Sequence, residues 1–242
     1  MLMPRFFVDT LCDPVILTGE DARHISLSLR MRAGEAVTLC DGRGMEASGW
    51  IESFSDRTVQ VRLGEIRPSC SEPKTDIALY LALPKGDKLD WTIQKAVELG
   101  VSEIVLLLTS RCISRPKEGE ADKKLARLQK IALEAAKQSG RGRVPQVRGI
   151  LRFAQALDEM QQFPSAFALY EGKCPPLRSL LPAAPCKIAL LTGSEGGFSP
   201  EEIAEAQQRL ILPASLGPRI LRCETAPIAA LAAVLFAMGD LD

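Results

Sequence analysis

Lys187-Ile-Ala-Leu-Leu-Thr192-Gly193-Ser194-Glu195-Gly196-Gly197-Phe198-Ser199-Pro200-Glu201-Glu202 joins an apolar run, a glycine-rich turn and a helix start. The apolar run predicts a buried strand. Ser199 suits a helix N-cap, Pro200 the first helical position and Glu202 the far side of a capping box. Strand, glycine loop and helix is the order in which α/β proteins bind ligands at the carboxyl ends of strands. Glycines let the backbone approach a ligand and offer it N–H groups. The spacing is neither G-x-G-x-x-G nor G-x-x-x-x-G-K-[ST], which excludes the dinucleotide and P-loop readings. Taken alone, the loop fits a ligand cradle or a tight structural turn.

The surrounding sequence predicts an α/β domain. Ile77 to Leu83, Ile104 to Leu108 and Ala166 to Tyr170 are strand-like, and helices are expected over Lys88 to Leu99, Asp122 to Ser139 and Arg152 to Gln162. Strands alternating with helices imply a largely parallel sheet. Downstream, Leu210-Ile-Leu212 begins a further strand region that leads through Leu216-Gly-Pro-Arg-Ile-Leu-Arg-Cys-Glu-Thr-Ala226 into an apolar helix, Pro227 to Met238. A helix that apolar packs deeply, so Arg219, Arg222 and Glu224 belong at a rim or in a cleft, or form a structural ion pair.

The first 70 residues read differently. Val15 to Leu17, Ala36 to Cys40, Ala47 to Ile51 and Thr58 to Leu63 are short β-rich pieces, with Asp21 to Met31 a short helix between them. A small barrel-like β domain is expected at 1–70 and the α/β domain at 71–242. Arg67-Pro-Ser-Cys-Ser-Glu-Pro-Lys74 is the linker candidate.

Composition narrows the chemistry. The single histidine, His24, excludes a His-rich metal centre and leaves no local motif for a Ser-His-Asp triad. The seven cysteines form no C-x-x-C pair, which argues against a zinc ribbon and a disulfide framework; no metal is expected. Formal net charge is zero. Between Ala121 and Arg148, however, eight lysines and arginines stand against Asp122 and Glu134, which makes either a phosphate-binding surface or a solvated helix face. No run approaches the roughly 20 apolar residues of a membrane span. The start, Met1 to Asp13, has no long apolar stretch, so a cytoplasmic location is expected.

The Gly193–Gly197 loop together with Leu216 to Ala226 resembles the cofactor-binding pair of the SPOUT class of methyltransferases. The closer resemblance is to the bacterial RsmE type, which methylates uridine N3 in 16S rRNA. Arg5-Phe-Phe7 and His24 through Arg30-Met31 to Gly34 resemble that family's PUA-like N-terminal domain. Leu83-Pro-Lys-Gly-Asp-Lys88, Gln94-Lys95, Glu98-Leu-Gly100, Arg111-Cys112 and Gly140-Arg-Gly-Arg-Val-Pro145 resemble its catalytic domain. The chain departs from the family at Ser194, usually Pro, at Cys223, usually Thr, and at Ala226-Pro227, where a Thr-Ala-Leu-like run is usual.

The resemblance implies a trefoil-knotted α/β domain, a homodimer with the cofactor near the subunit interface, S-adenosylmethionine as cofactor, and 16S rRNA, within the small ribosomal subunit or free, as partner. It implies cofactor contacts from Leu191, Thr192, Gly193, Glu195, Gly196, Gly197, Leu216, Gly217, Ile220, Leu221, Arg222, Thr225 and Ala226. Arg222 and Glu224 are the catalytic candidates, and Arg5, Arg30, Arg32, Lys85, Arg141 and Arg143 the RNA candidates. Glu195, Glu224 and bulk hydroxide stay open as the base. A SPOUT enzyme for another rRNA or tRNA site, and a non-catalytic RNA-binding adaptor, are the alternatives.

Overall fold

The computed structural model describes residues 3–115 and 119–241. The chain divides into two compact units, residues 1–72 with 136–144, and residues 73–135 with 145–242.

In the first unit, β1 (Arg5–Phe7), β2 (Val15–Leu17), β3 (Ala36–Cys40), β4 (Met45–Ser55) and β5 (Thr58–Pro68) form one sheet in the order β1-β3-β4-β5-β2. Only β1 and β3 pair in parallel. Register shifts at Ala47/Gly49 and Ile51/Ser53 mark irregular pairing of the two long strands, the kind of feature that bends a strand. Phe6, Val15, Leu17, Ile25, Val37, Leu39, Ile51, Val59 and Val61 make the core. The expected β domain is present as an open half-barrel.

Two local expectations need correction. The single helix over Asp21–Met31 is instead α1 (Gly19–Arg23) followed by one turn of π-helix (His24–Ser28). Arg30 then takes φ +52, a conformation uncommon for a residue with a Cβ. The supposed linker is partly strand, since β5 runs to Pro68. Beyond it, the Ser69 N–H donates to the Gly44 carbonyl (2.8 Å) and the Ser69 hydroxyl to Glu46 (2.9 Å).

The second unit carries the parallel sheet. Its strands are β6 (Asp76–Ala82), β7 (Glu103–Leu108), β8 (Gln146–Arg152), β9 (Ser165–Leu169), β10 (Lys187–Thr192) and β11 (Leu212–Ala214), in the order β11-β9-β10-β6-β7-β8. Every pairing is parallel. The helices are α2 (Lys88–Leu99), α3 (Ala121–Ser139), α4 (Phe153–Met160), α5 (Leu177–Leu180), α6 (Pro200–Gln208) and α7 (Thr225–Ala237). β8 and the four-residue α5 were not expected from sequence. In β8 the positive φ of Gly149 and a register shift against Leu106/Leu107 break the alternation that marks a strand.

β6 and β10 occupy the middle of the sheet, and Ile77 to Ala82 and Ile188 to Thr192 are buried throughout. Such strands are near-continuous apolar runs because helices cover both faces. The carboxyl end of β10 therefore opens into the glycine loop from the buried middle of the sheet.

Candidate cofactor site

The glycine loop is a tight turn. The Gly197 N–H donates to the Ser194 carbonyl (2.9 Å), and Gly197 sits at φ +63. A Cβ at Gly197 would lie 2.7 Å from Glu171 Oε1, and one at Gly193 3.1 Å from the Gly197 Cα. A side chain at Gly193 would press on the loop's own backbone, and one at Gly197 would be strained by its positive φ. Arg111 braces the loop, its Nη1 donating to the Gly196 carbonyl (2.7 Å). The expected capping box forms. The Ser199 hydroxyl accepts from the Glu202 N–H (3.2 Å), and Glu202 Oε2 accepts from the Ser199 N–H (2.9 Å). Glu202 Oε1 also accepts from the Ser110 N–H (2.7 Å), so one nearly buried carboxylate fixes both α6 and the segment after β7.

The second arm begins at β11. Ser215 is pinned by its N–H to the Pro175 carbonyl and by its carbonyl to the Leu177 N–H, both 2.9 Å. The chain then loops through Leu216 to Glu224. The Arg222 carbonyl accepts from the Thr225 and Ala226 N–H groups, both 2.9 Å, where α7 starts. Pro227 is buried in the first turn of α7, where no intrahelical N–H is called for.

The two arms face one another across a cavity of about 430 Å³ lined by Leu169, Glu171, Thr192 to Gly197, Ile220 to Cys223 and Ala226. A smaller space of about 90 Å³, sharing Glu171, Ile220 and Leu221, reaches Leu216, Gly217 and Arg219. Most of the expected cofactor residues are thereby gathered. Two are not: Leu191 is fully buried in β10, and Thr225 lies outside both linings. Glu171 was not foreseen. It follows an apolar strand at the sheet's carboxyl end, which is the signal that could have found it.

A charged cluster stands at the rim. Glu195 accepts from the Lys85 N–H (3.1 and 3.3 Å) and from Lys88 Nζ (2.9 Å). Burial raises its carboxyl pKa, but the Lys88 and backbone hydrogen bonds outweigh that and hold it below the usual range. Lys88 Nζ also lies 3.7 Å from Glu224 Oε2 and 3.8 Å from Cys223 Sγ. A backbone hydrogen bond and the Cys223 thiol, donating at 3.2 Å, lower the Glu224 pKa. Burial, then Glu224, push the Cys223 thiol up to about 12, so it is a neutral donor and not a nucleophile. Arg222 lines the cavity, exposed, with no salt bridge among the described residues. Among those residues no group of three or more His, Cys, Asp or Glu could hold a metal.

The RNA candidates separate into two kinds. Arg30, Arg32 and Lys85 have exposed side chains. Arg141 does not: its side chain is 3% exposed and meets Glu72 at 2.6 Å, and Glu72 also receives the Gly142 and Arg143 N–H groups. Arg141, expected at the RNA surface, is therefore not presented to solvent. Arg5 is likewise held inside, donating to Glu46 (2.8 Å) and Cys40 (2.8 Å); the Glu46 hydrogen bond raises its pKa against the effect of burial. Arg143 is half-buried beside Gly42 and Arg43. Much of the basic tract is engaged in the same way: Arg127 with Asp90, Lys137 with Asp21, and Arg148 with Glu103 and Glu159.

A parallel α/β sheet with a glycine loop and a second loop closing one cavity at the carboxyl ends of its strands is the arrangement of a small-molecule-binding α/β domain. The family profile described as RNA methyltransferase domain matches residues 71–235, and that described as RNA methyltransferase PUA domain matches 17–64. The chain is 33% identical to the ribosomal RNA small subunit methyltransferase E of Bacillus subtilis, covering 97% of this chain and 96% of that one. It is 34% identical to the Synechocystis protein of the same name, covering 91% and 72%. The Neisseria gonorrhoeae enzyme of that name, solved with S-adenosylmethionine bound, superposes with a TM-score of 0.88 at 32% identity, covering 97% and 98%. A Legionella pneumophila protein solved with the same bound cofactor gives 0.87 at 32%, covering 98% of each. The chain belongs to this family, the RsmE type of the SPOUT RNA methyltransferases.

Proposed function

We propose that this protein transfers a methyl group from S-adenosylmethionine to N3 of a uridine in 16S rRNA. The observation that carries the reading is the pair of arms, Thr192–Gly197 and Ile220–Cys223, facing one cavity. The cavity fits the cofactor. Its volume lies in the range of small-molecule sites, and Gly193 and Gly197 leave backbone where side chains would fill the space.

Bound there, the cofactor supplies a methyl group already activated on a sulfonium. The chain's residues have three remaining tasks. Backbone groups of Thr192, Gly193, Gly197, Leu216, Ile220 and Leu221 hold and orient the donor. Deprotonating uracil N3 places negative charge on O2 and O4, and the Arg222 guanidinium at the cavity offers the compensating charge. Glu195 and Glu224, both held below the usual carboxylate range, are poor proton acceptors. The N3 proton therefore leaves to solvent hydroxide, and the methylation rate climbs with pH through neutrality.

Arg30, Arg32 and Lys85, exposed and positive, are the residues proposed to hold RNA phosphates. The target uridine must be unpaired or flipped, because pairing hides N3. The trefoil knot, the homodimer and a cytoplasmic location belong to the same reading. For the homodimer, the support is α7: it is apolar on every side, yet Phe236 is 69% exposed beside a groove of about 720 Å³ lined by Leu177, Leu181, Leu216 and Met238. A helix of that composition is normally covered on all sides. Methylation of assembled small subunits with labelled cofactor, followed by nucleoside mapping, tests the reading. Label on N3 of a uridine is expected; label on another base or on tRNA would replace it.

A further inference from the structure

The two arms of the cavity are separated in sequence by α6 and β11. Lys88 reaches both. Its Nζ lies 2.9 Å from Glu195 Oε1 on the glycine loop and 3.7 Å from Glu224 Oε2 on the second arm. Lys88 itself is absent from the lining of either cavity.

It is the first residue of α2, and its backbone is fixed. The Lys88 carbonyl accepts from the Thr92 hydroxyl (2.9 Å), and α2 buries Leu89, Ile93, Ala96 and Val97. The turn just before it adds the Lys85 N–H, so Glu195 is gripped by one backbone donor and one ammonium on the same short segment. The ammonium also separates two carboxylates. Without it Glu195 and Glu224 would face one another as like charges, which repel most strongly where water is partly excluded.

We infer that Lys88 is a positioning residue that holds the glycine loop and the second arm at the spacing the cofactor requires, acting through Glu195 and Glu224 without touching the cofactor. This rests on the S-adenosylmethionine reading of the cavity. Its chemistry is electrostatic, because a pair that is about one-third exposed is worth little as a mere surface contact. Its effect is therefore expected on the pocket and not on global stability.

The experiment measures S-adenosylmethionine affinity by calorimetry for the wild type, Lys88→Met, Lys88→Arg and Lys88→Met/Glu195→Gln, with thermal unfolding of each. Lys88→Met is expected to weaken binding roughly tenfold, the scale of one lost charge-assisted hydrogen bond. Lys88→Arg should recover to within about threefold of wild type, because it keeps the charge. The double variant should bind no worse than Lys88→Met alone, since the carboxylate repulsion has gone. A purely structural lysine would show neither the rescue nor this non-additivity. Unchanged affinity in Lys88→Met, with the wild type binding, overturns the inference. If Lys88→Met fails to fold, Glu195→Gln carries the same comparison with α2 untouched, and unchanged affinity there overturns it equally. A wild type that does not bind S-adenosylmethionine overturns the proposed function itself, and the inference with it.

Discussion

At the scale of single residues, the positions that set this chain apart from its family have local explanations. Ser194 contributes its carbonyl to the turn, accepting from the Gly197 N–H, and a proline keeps that carbonyl. Ser194→Pro is therefore expected to leave S-adenosylmethionine affinity within about twofold, since it removes a backbone donor and one long hydroxyl hydrogen bond, to the Arg111 carbonyl at 3.4 Å; a loss beyond tenfold in a binding titration would mean the Ser194 N–H meets the cofactor. Pro227 lies in the first helical turn, outside the cavity lining, where a missing N–H costs the helix little. Arg222, which lines the cavity, is the residue proposed to carry turnover. Arg222→Ala is expected to lower methyl transfer by about a hundredfold or more, the scale of losing a charge-stabilising donor, while the protein still folds. Full activity in that variant would remove it from the mechanism. Arg141→Ala should do the opposite. Breaking its buried pair with Glu72 is expected to cost about 3 kcal/mol or more of stability, and a melting temperature unchanged from wild type would show that the pair is dispensable.

At the scale of elements, the capping box at the start of α6 and the charged cluster at the start of α2 do different work. Ser199→Ala should cost about 1 kcal/mol, read in a denaturant titration. Glu202→Ala should cost more, because it strands both the Ser199 and the Ser110 N–H donors. Lys88, Glu195 and Glu224 are each shifted toward their charged forms, so this cluster adds no titration near neutrality. Lys88 is raised above the ordinary ammonium value, chiefly by its hydrogen bond to Glu195, and that contribution is lost as pH rises past the folded value. Glu195 and Glu224 are lowered, and their contribution fails as pH falls through the folded value. Cofactor affinity is therefore expected to stay flat between about pH 5 and 10 and to weaken at the acid end. A titration centred near neutrality, seen by calorimetry across pH, would show that another group controls the site.

At the scale of the whole molecule, the basic tract between Ala121 and Arg148 shows why charge along a sequence misleads. Arg127, Lys137, Arg141 and Arg148 each meet a carboxylate that lies far away in the chain or on another element. RNA binding is therefore expected to depend on Arg30 and Arg32: replacing both with alanine should weaken binding and reduce the salt slope by roughly 2. An unchanged slope in a filter-binding series would move the RNA elsewhere. The uncovered face of α7 makes a similar prediction for assembly. Phe236→Asp is expected to shift sedimentation toward the monomer; a wild-type profile would mean that a second copy does not use this face.

The sequence alone determined what depends on neighbours in the chain. Apolar runs placed β6, β7, β9 and β10, and Ser199-Pro200-Glu201-Glu202 placed the start of α6, because strand burial and helix capping are set within a few residues. The two segments that line the cavity were singled out through their resemblance to a family, whereas spacing by itself left the glycine loop open to two readings. Tertiary structure alone decided which charges are free. It turned Arg5 and Arg141 inward, brought in Glu171 and joined Lys88 to Glu195 and Glu224. Those partners are brought together by the pairing of sheet strands and the packing of helices, and no local pattern of residue types records which distant carboxylate a lysine or arginine will meet.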